Sequence, residues 1–106
     1  MLGDLVKDRV DSNKPRVEGL THTIDKFQFF DRETFKILAS FIDEIKIHNT
    51  YPLLISDNLV QKRISYYHEY DIKVSTGSTL TEYAISGNYF DKFIEESARI
   101  GFDIIE

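Results

Sequence analysis

The sequence predicts an α/β fold built around a parallel sheet. Three observations carry this. Short β-prone stretches alternate with segments of helical apolar spacing. The alternation recurs at roughly 27–30 residues, the size of a strand–helix unit. Each predicted strand also ends in polar or ionisable side chains, as strands do when their C-terminal ends face a site.

Residues 1–16 form a polar leader carrying Lys7, Asp8, Arg9, Asp11, Lys14, Pro15 and Arg16, with one helical turn expected over Leu2 to Val6. Order is expected from Val17, so residues 17–106 make the single domain. Glu18 to Asp25 reads as the first strand, with Leu20 and Ile24 apolar and threonines suited to a pleated surface. Asp31 is placed to cap the first helix, whose apolar positions are Phe35, Leu38 and Ala39. A second strand is expected over Ile42 to Ile47, followed by a loop from His48 to Pro52. Ser56 or Asp57 opens the second helix, and Leu59, Val60, Ile64 and Tyr67 form its apolar stripe.

Asp71 to Ser75 is the third expected strand. Gly77-Ser78-Thr79 turns into a third helical region, which breaks at Gly87-Asn88 and resumes from Asp91 to Ile100. Phe90, Phe93, Ile94 and Ala98 are its expected buried stripe, and Gly101 its left-handed cap. Phe102 to Ile105 is the fourth strand. Strands and helices in this order imply parallel pairing with crossover connections. Four strands cannot close a barrel. The sheet therefore lies open as a small sandwich, or two copies complete each other, or the chain is the front half of a larger unit. The third arrangement is preferred.

The chain has 106 residues, 42% of them hydrophobic and 13% aromatic, which supports a packed core. A net charge of −5 argues against nucleic-acid binding, which needs a basic face. The absence of cysteine excludes disulfides, thiolate catalysis and cysteine-held zinc. No apolar run approaches the roughly 20 residues that span a bilayer. The expectation is a cytoplasmic protein that binds neither nucleic acid nor membrane.

In a parallel sheet the strand ends share one rim. Asp25 and Lys26 follow the first strand; Lys46, His48 and Asn49 end the second; Gly77, Ser78, Thr79 and Glu82 follow the third; Glu106 ends the fourth. Lysines beside acids suit chemistry in which negative charge develops on oxygen. Lys46 sits between Ile45 and Ile47, so alternation puts it on the other face from both. Gly77-Ser78-Thr79 before a helix can cradle a phosphate on backbone N–H groups, and equally suits a plain turn and cap. Glu82 lies three residues after Thr79, which is also capping-box spacing. His22, His48 and His68 do not form a histidine metal site by spacing.

The segments Gly19-Leu-Thr-His-Thr-Ile-Asp-Lys26, Phe41-Ile-Asp-Glu-Ile-Lys46, Ile72-Lys-Val-Ser-Thr-Gly-Ser-Thr-Leu-Thr-Glu82, Phe90-Asp-Lys-Phe93 and Gly101-Phe-Asp-Ile-Ile-Glu106, in that order, resemble the front half of the phosphosulfolactate synthase family. The likeness runs from about residue 14 to residue 106. It implies an incomplete (β/α)8 TIM barrel, with about four parallel strands and three intervening helices. It further implies a carbon–sulfur lyase that adds sulfite to phosphoenolpyruvate with Mg²⁺, an early step toward coenzyme M. By position the resemblance assigns catalysis to Lys26, Lys46 and Asp25, substrate binding to Gly77, Ser78 and Thr79, and metal binding to Glu82 and Glu106. The implied partners are small anionic substrates, together with self-association or a missing C-terminal half, and the chain alone is expected to be inactive. Two loops depart from the family's pattern. Ile47-His-Asn-Thr-Tyr-Pro52 lacks the usual glycine and tryptophan, and Ser75-Thr-Gly-Ser78 lacks the proline and second glycine. The alternative is a non-catalytic half-barrel relative that serves as an interaction or scaffold protein.

Overall fold

Three strands, β1 (His22–Asp25), β2 (Glu44–Ile47) and β3 (Lys73–Ser75), lie side by side in that order, both pairs parallel. The structure is a computed structural model that describes residues 1–6, 8, 12–27 and 31–106. Five α-helices accompany the strands among the described residues: α1 (Arg32–Leu38), α2 (Tyr51–Leu54), α3 (Asp57–His68), α4 (Ser78–Ser86) and α5 (Phe90–Ile100). The chain is thus α/β with a parallel sheet, as its alternating pattern predicts. Leader positions Lys7, Arg9 and Asp11 fall outside the described residues. Among the described residues no helix is long and apolar enough to cross a membrane.

The fourth strand expected over Phe102 to Ile105 is reduced to one parallel bridge, Ser75 to Ile104. Asp103 is the reason. Its carboxylate accepts the Val74 N–H at 2.8 Å, taking a donor that a full ladder would give to a backbone carbonyl. The backbone bonds around it still hold the segment beside β3: Asp103 N–H to the Val74 carbonyl at 2.8 Å and Thr76 N–H to the Ile104 carbonyl at 3.0 Å.

Local signals place the helices. Asp31 caps α1, accepting the Glu33 N–H at 3.1 Å and the Thr34 hydroxyl at 2.5 Å. Ser56 takes the N-cap position of α3. The break at Gly87-Asn88 separates α4 from α5, with Asn88 at φ +60°. Gly101 ends α5 at φ +117°, a conformation costly for any residue with a Cβ. The expected loop His48 to Pro52 instead runs into α2, whose first turn accepts Pro52 because no N–H is needed there.

The core fills the space between the sheet and α3. Ile45, Ile47 and Val74 point from the strands onto Val60, Ile64 and Tyr67, with Ile72, Ala39 and Phe102 completing the cluster. Leu59, expected in this stripe, is 53% exposed, at the edge of the arc that reaches the sheet. The stripe expected on α5 is corrected more strongly. Ser97 is the buried residue of that helix and Phe93 is half-buried, while Phe90, Ile94 and Ala98 are exposed. Hydrophobic spacing identifies an apolar face, but the α5 face turned to α3 and α4 is the one carrying Ser97.

The leader is fastened below the sheet. Lys14 Nζ donates to the Tyr70 carbonyl at 2.9 Å, and Arg16 donates to Asp43 at 2.7 Å and to the Ser40 carbonyl at 2.6 Å. Asp43 also accepts the Thr21 N–H at 2.8 Å, which joins the entrances of β1 and β2. Burial opposes the charge on Asp43, but that N–H and the Arg16 guanidinium hold its carboxyl below the usual carboxylate range.

Candidate functional site

Strand register sorts the side chains onto two faces. Ile45 and Ile47 face the helices, so their neighbours Glu44 and Lys46 face the other way. Lys46 aligns with Ser75, and Ser75 with Ile104, so these three form a row on the open face. His22 lies opposite Glu44 one pleat lower, with Nδ1 3.4 Å from its carboxylate. A hollow of about 420 Å³ opens on this face, lined by His22, Glu44, Ser75, Ile104, Ile105 and Glu106.

Lys46 Nζ lies 3.0 Å from both carboxylate oxygens of Glu106. In register Ser75 lies between Lys46 and Ile104, and Glu106 follows two positions beyond Ile104. The Glu106 backbone is held from two sides: its N–H donates to the Thr76 hydroxyl at 3.3 Å, and its carbonyl accepts the Thr81 hydroxyl at 2.5 Å. Thus two of the sequence-selected residues, Lys46 and Glu106, come together at the strand ends.

Gly77 stands at the same rim as the N-cap of α4. A Cβ there would lie 3.1 Å from both the Asn49 nitrogen and the Ile47 carbonyl, so a larger residue would make the backbone at the exit of β2 give by a few tenths of an ångström. Ser78 and Thr79 are exposed in the first turn of α4, where N–H groups lack intrahelical partners. The Thr79 hydroxyl lies 3.5 Å from the Asn49 side chain. Glu82, one turn further, is exposed. Gly77 rather than Thr79 occupies the cap, so the capping-box arrangement does not form.

Asp25 goes to the other side of the sheet. It pairs in register with Ile47, and like Ile47 it faces the helices. Its carboxylate receives both Arg63 Nε and Arg63 Nη2, the latter at 2.7 Å, together with the Tyr67 hydroxyl at 2.5 Å and the Phe27 N–H at 2.8 Å. The Arg63 guanidinium also lies over the Phe27 ring, 4.2 Å from its centroid. Burial raises the Tyr67 phenol well above its ordinary pKa, and the Asp25 carboxylate adds to the shift. Burial opposes the Arg63 charge, yet the hydrogen bond to Asp25 leaves its pKa above the usual value. Lys26 follows at the rim, exposed, beside a groove of about 260 Å³ that Asp25, Phe35 and Arg63 also line. The structure therefore does not gather Asp25, Lys46 and Glu82 in one mouth. Sequence reasoning missed Arg63, whose only signal is its place four residues before Tyr67 on the predicted second helix.

A divalent cation needs several oxygen ligands converging on one point. Among the described residues no three histidine or carboxylate side chains do so. Of the two carboxylates selected for a metal, Glu106 already faces an ammonium and Glu82 stands exposed on α4. These residues alone do not fit a Mg²⁺ site.

The family model described as (2R)-phospho-3-sulfolactate synthase (ComA) matches residues 9–106. Phosphosulfolactate synthase of Methanocaldococcus jannaschii is 36% identical over 90 residues, covering 83% of this chain and 36% of that protein. The enzyme of the same name from Methanothermobacter thermautotrophicus is 30% identical over 98 residues, 90% of this chain and 38% of its own length. Protein HEAT-STRESS-ASSOCIATED 32 of Arabidopsis thaliana is 31% identical over 99 residues, 88% of this chain and 35% of its own. The chain thus spans a little over a third of the length of the curated relatives it matches.

Proposed function

The chain belongs to the (2R)-phospho-3-sulfolactate synthase family, and from that premise we propose that it carries part of the substrate-binding rim of a lyase joining sulfite to phosphoenolpyruvate. The observation that supports this best is the position of Lys46. It is a charged residue in mid-strand, turned away from the core, with its ammonium at the strand ends. Sulfite attacks the terminal methylene carbon of phosphoenolpyruvate and forms a C–S bond. The π electrons move toward the carboxylate, and a proton is then delivered to the carbon bearing the phosphate. A fixed ammonium beside that carboxylate stabilises the charge as it develops. Lys46 is suited to this role and Lys26 to a second anionic group. The open N–H groups of Ser78 and Thr79 are suited to the phosphate. The proton donor is assigned to a lysine of the same rim. No step is assigned to Mg²⁺, because the described residues do not assemble its ligands.

In this reading the chain turns substrate over only within a completed barrel, formed with further chain or with a second copy. Sulfite-dependent loss of phosphoenolpyruvate, followed with and without Mg²⁺, tests it. The chain alone is expected to bind phosphoenolpyruvate without consuming it. A completed barrel is expected to consume it and to lose turnover on Lys46→Met. A folded, completed barrel that leaves phosphoenolpyruvate untouched in the presence of sulfite and Mg²⁺ overturns the reading.

A further inference from the structure

Ser75 is 2% exposed, and its hydroxyl is buried without a hydrogen-bond partner among the described residues. Such groups are rare in native structures, because leaving one unsatisfied sacrifices hydration for nothing in return. Its location gives it a use. Ser75 faces the open side of the sheet and lines the hollow of about 420 Å³. Lys46 flanks it in register on one strand and Ile104 on the other, and Lys46 is paired with Glu106, two positions beyond Ile104.

We propose that Ser75 is a ligand-binding residue for a small oxyanion, and that Glu106 holds the place of that oxyanion when the site is empty. This deepens the lyase reading and rests on it for the identity of the anion, a phosphate or carboxylate group of phosphoenolpyruvate. The ligand takes over the Lys46 ammonium from Glu106, whose side chain swings aside. The Ser75 hydroxyl, which lines the same hollow, donates to the bound anion. One hydroxyl and one ammonium from adjacent strands then grip the same oxygen cluster, and the carboxylate of Glu106 repels competitors while the site is empty.

The test titrates phosphoenolpyruvate, inorganic phosphate and sulfite separately into the isotopically labelled 106-residue chain, with amide and side-chain shifts as readout. Lys46→Met is expected to abolish binding. Ser75→Ala is expected to weaken it about tenfold, the value of one hydrogen bond to a charged group. Glu106→Gln is expected to tighten it about two- to fivefold at low ionic strength, by removing the competing partner. In the unsubstituted chain, saturation must move the Ser75 resonances. Unaltered affinity in Ser75→Ala, Ser75 resonances that stay still at saturation, or binding weakened by Glu106→Gln each overturns the inference. Because the readout is binding and not turnover, it is separable from the lyase reading. Turnover in a completed barrel with Ser75→Ala binding as tightly as the parent removes this inference and leaves the lyase. Serine-dependent anion binding without sulfite chemistry does the reverse.

Discussion

Asp25 and Tyr67 lie 42 positions apart, and the tyrosine hydroxyl donates to the aspartate at 2.5 Å on the helix-facing side of β1. With Arg63 on the same carboxylate, this contact ties the end of the first strand to the second half of α3. Asp25→Ala would strand a half-buried guanidinium and a buried phenol. Removing one partner of a buried pair costs about 3–5 kcal/mol, a large share of a small domain's stability. Urea denaturation of the variant is expected to show that loss. Tyr67→Phe, which keeps the ion pair, should lose less, about 1.5–3 kcal/mol, the value of one hydrogen bond to a charged group. A fully stable Asp25→Ala chain would mean that the carboxylate is free for chemistry rather than committed to α3.

Gly77 tests how tightly the rim is built. An alanine Cβ would press on the backbone of both Ile47 and Asn49 at 3.1 Å, and backbone yields less readily than a side-chain tip. Gly77→Ala is expected to cost about 1–3 kcal/mol, as overpacking does. The amide resonances of residues 48–50 should move, while those of α3 stay. An alanine variant of unchanged stability with an unshifted Asn49 amide would show that the close approach is not structural.

Asp43 sets an acid limit on the fold. Its folded-state pKa lies below the ordinary 3.8, so the unfolded chain binds its proton first as pH falls. Its contribution is therefore complete above the unfolded value and disappears as pH drops through the folded one. Asp43→Asn should be less stable than the parent at neutral pH, and the gap should close below about pH 4. Urea midpoints measured from pH 7 down to pH 2 check this. A gap that stays constant across the range would assign the loss to packing instead of charge.

The helix boundaries were legible because single residues carry them. Asp31 caps, Gly87-Asn88 interrupts and Gly101 terminates, each through a local backbone requirement. The parallel sheet followed from the alternation of elements. Facing was harder to read. β1 has only four residues, and a shift of one position would exchange its two faces. What turns Asp25 toward the helices is Arg63, 38 positions away, and no local pattern announces such a partner. Lys46 was readable because Ile45 and Ile47 flank it and leave it one direction. The α5 stripe failed for a related reason: spacing defines an apolar face, but not which face the neighbouring helices cover. Ser75 carried no signal at all, since a serine at a strand end resembles any turn residue.

Ser75→Ala separates stability from function. A buried hydroxyl with no partner costs the fold about 1 kcal/mol or more, so its removal should raise stability by about that amount. Alanine also fits the space, since it deletes one atom and adds none. Most core truncations do the opposite, because they remove packed apolar groups. A rise in the urea midpoint together with weaker anion binding would show a hydroxyl kept for its ligand at the fold's expense, the trade expected of a binding group. A fall in the midpoint would show that the hydroxyl already has a partner in the folded chain and that its burial needs no ligand.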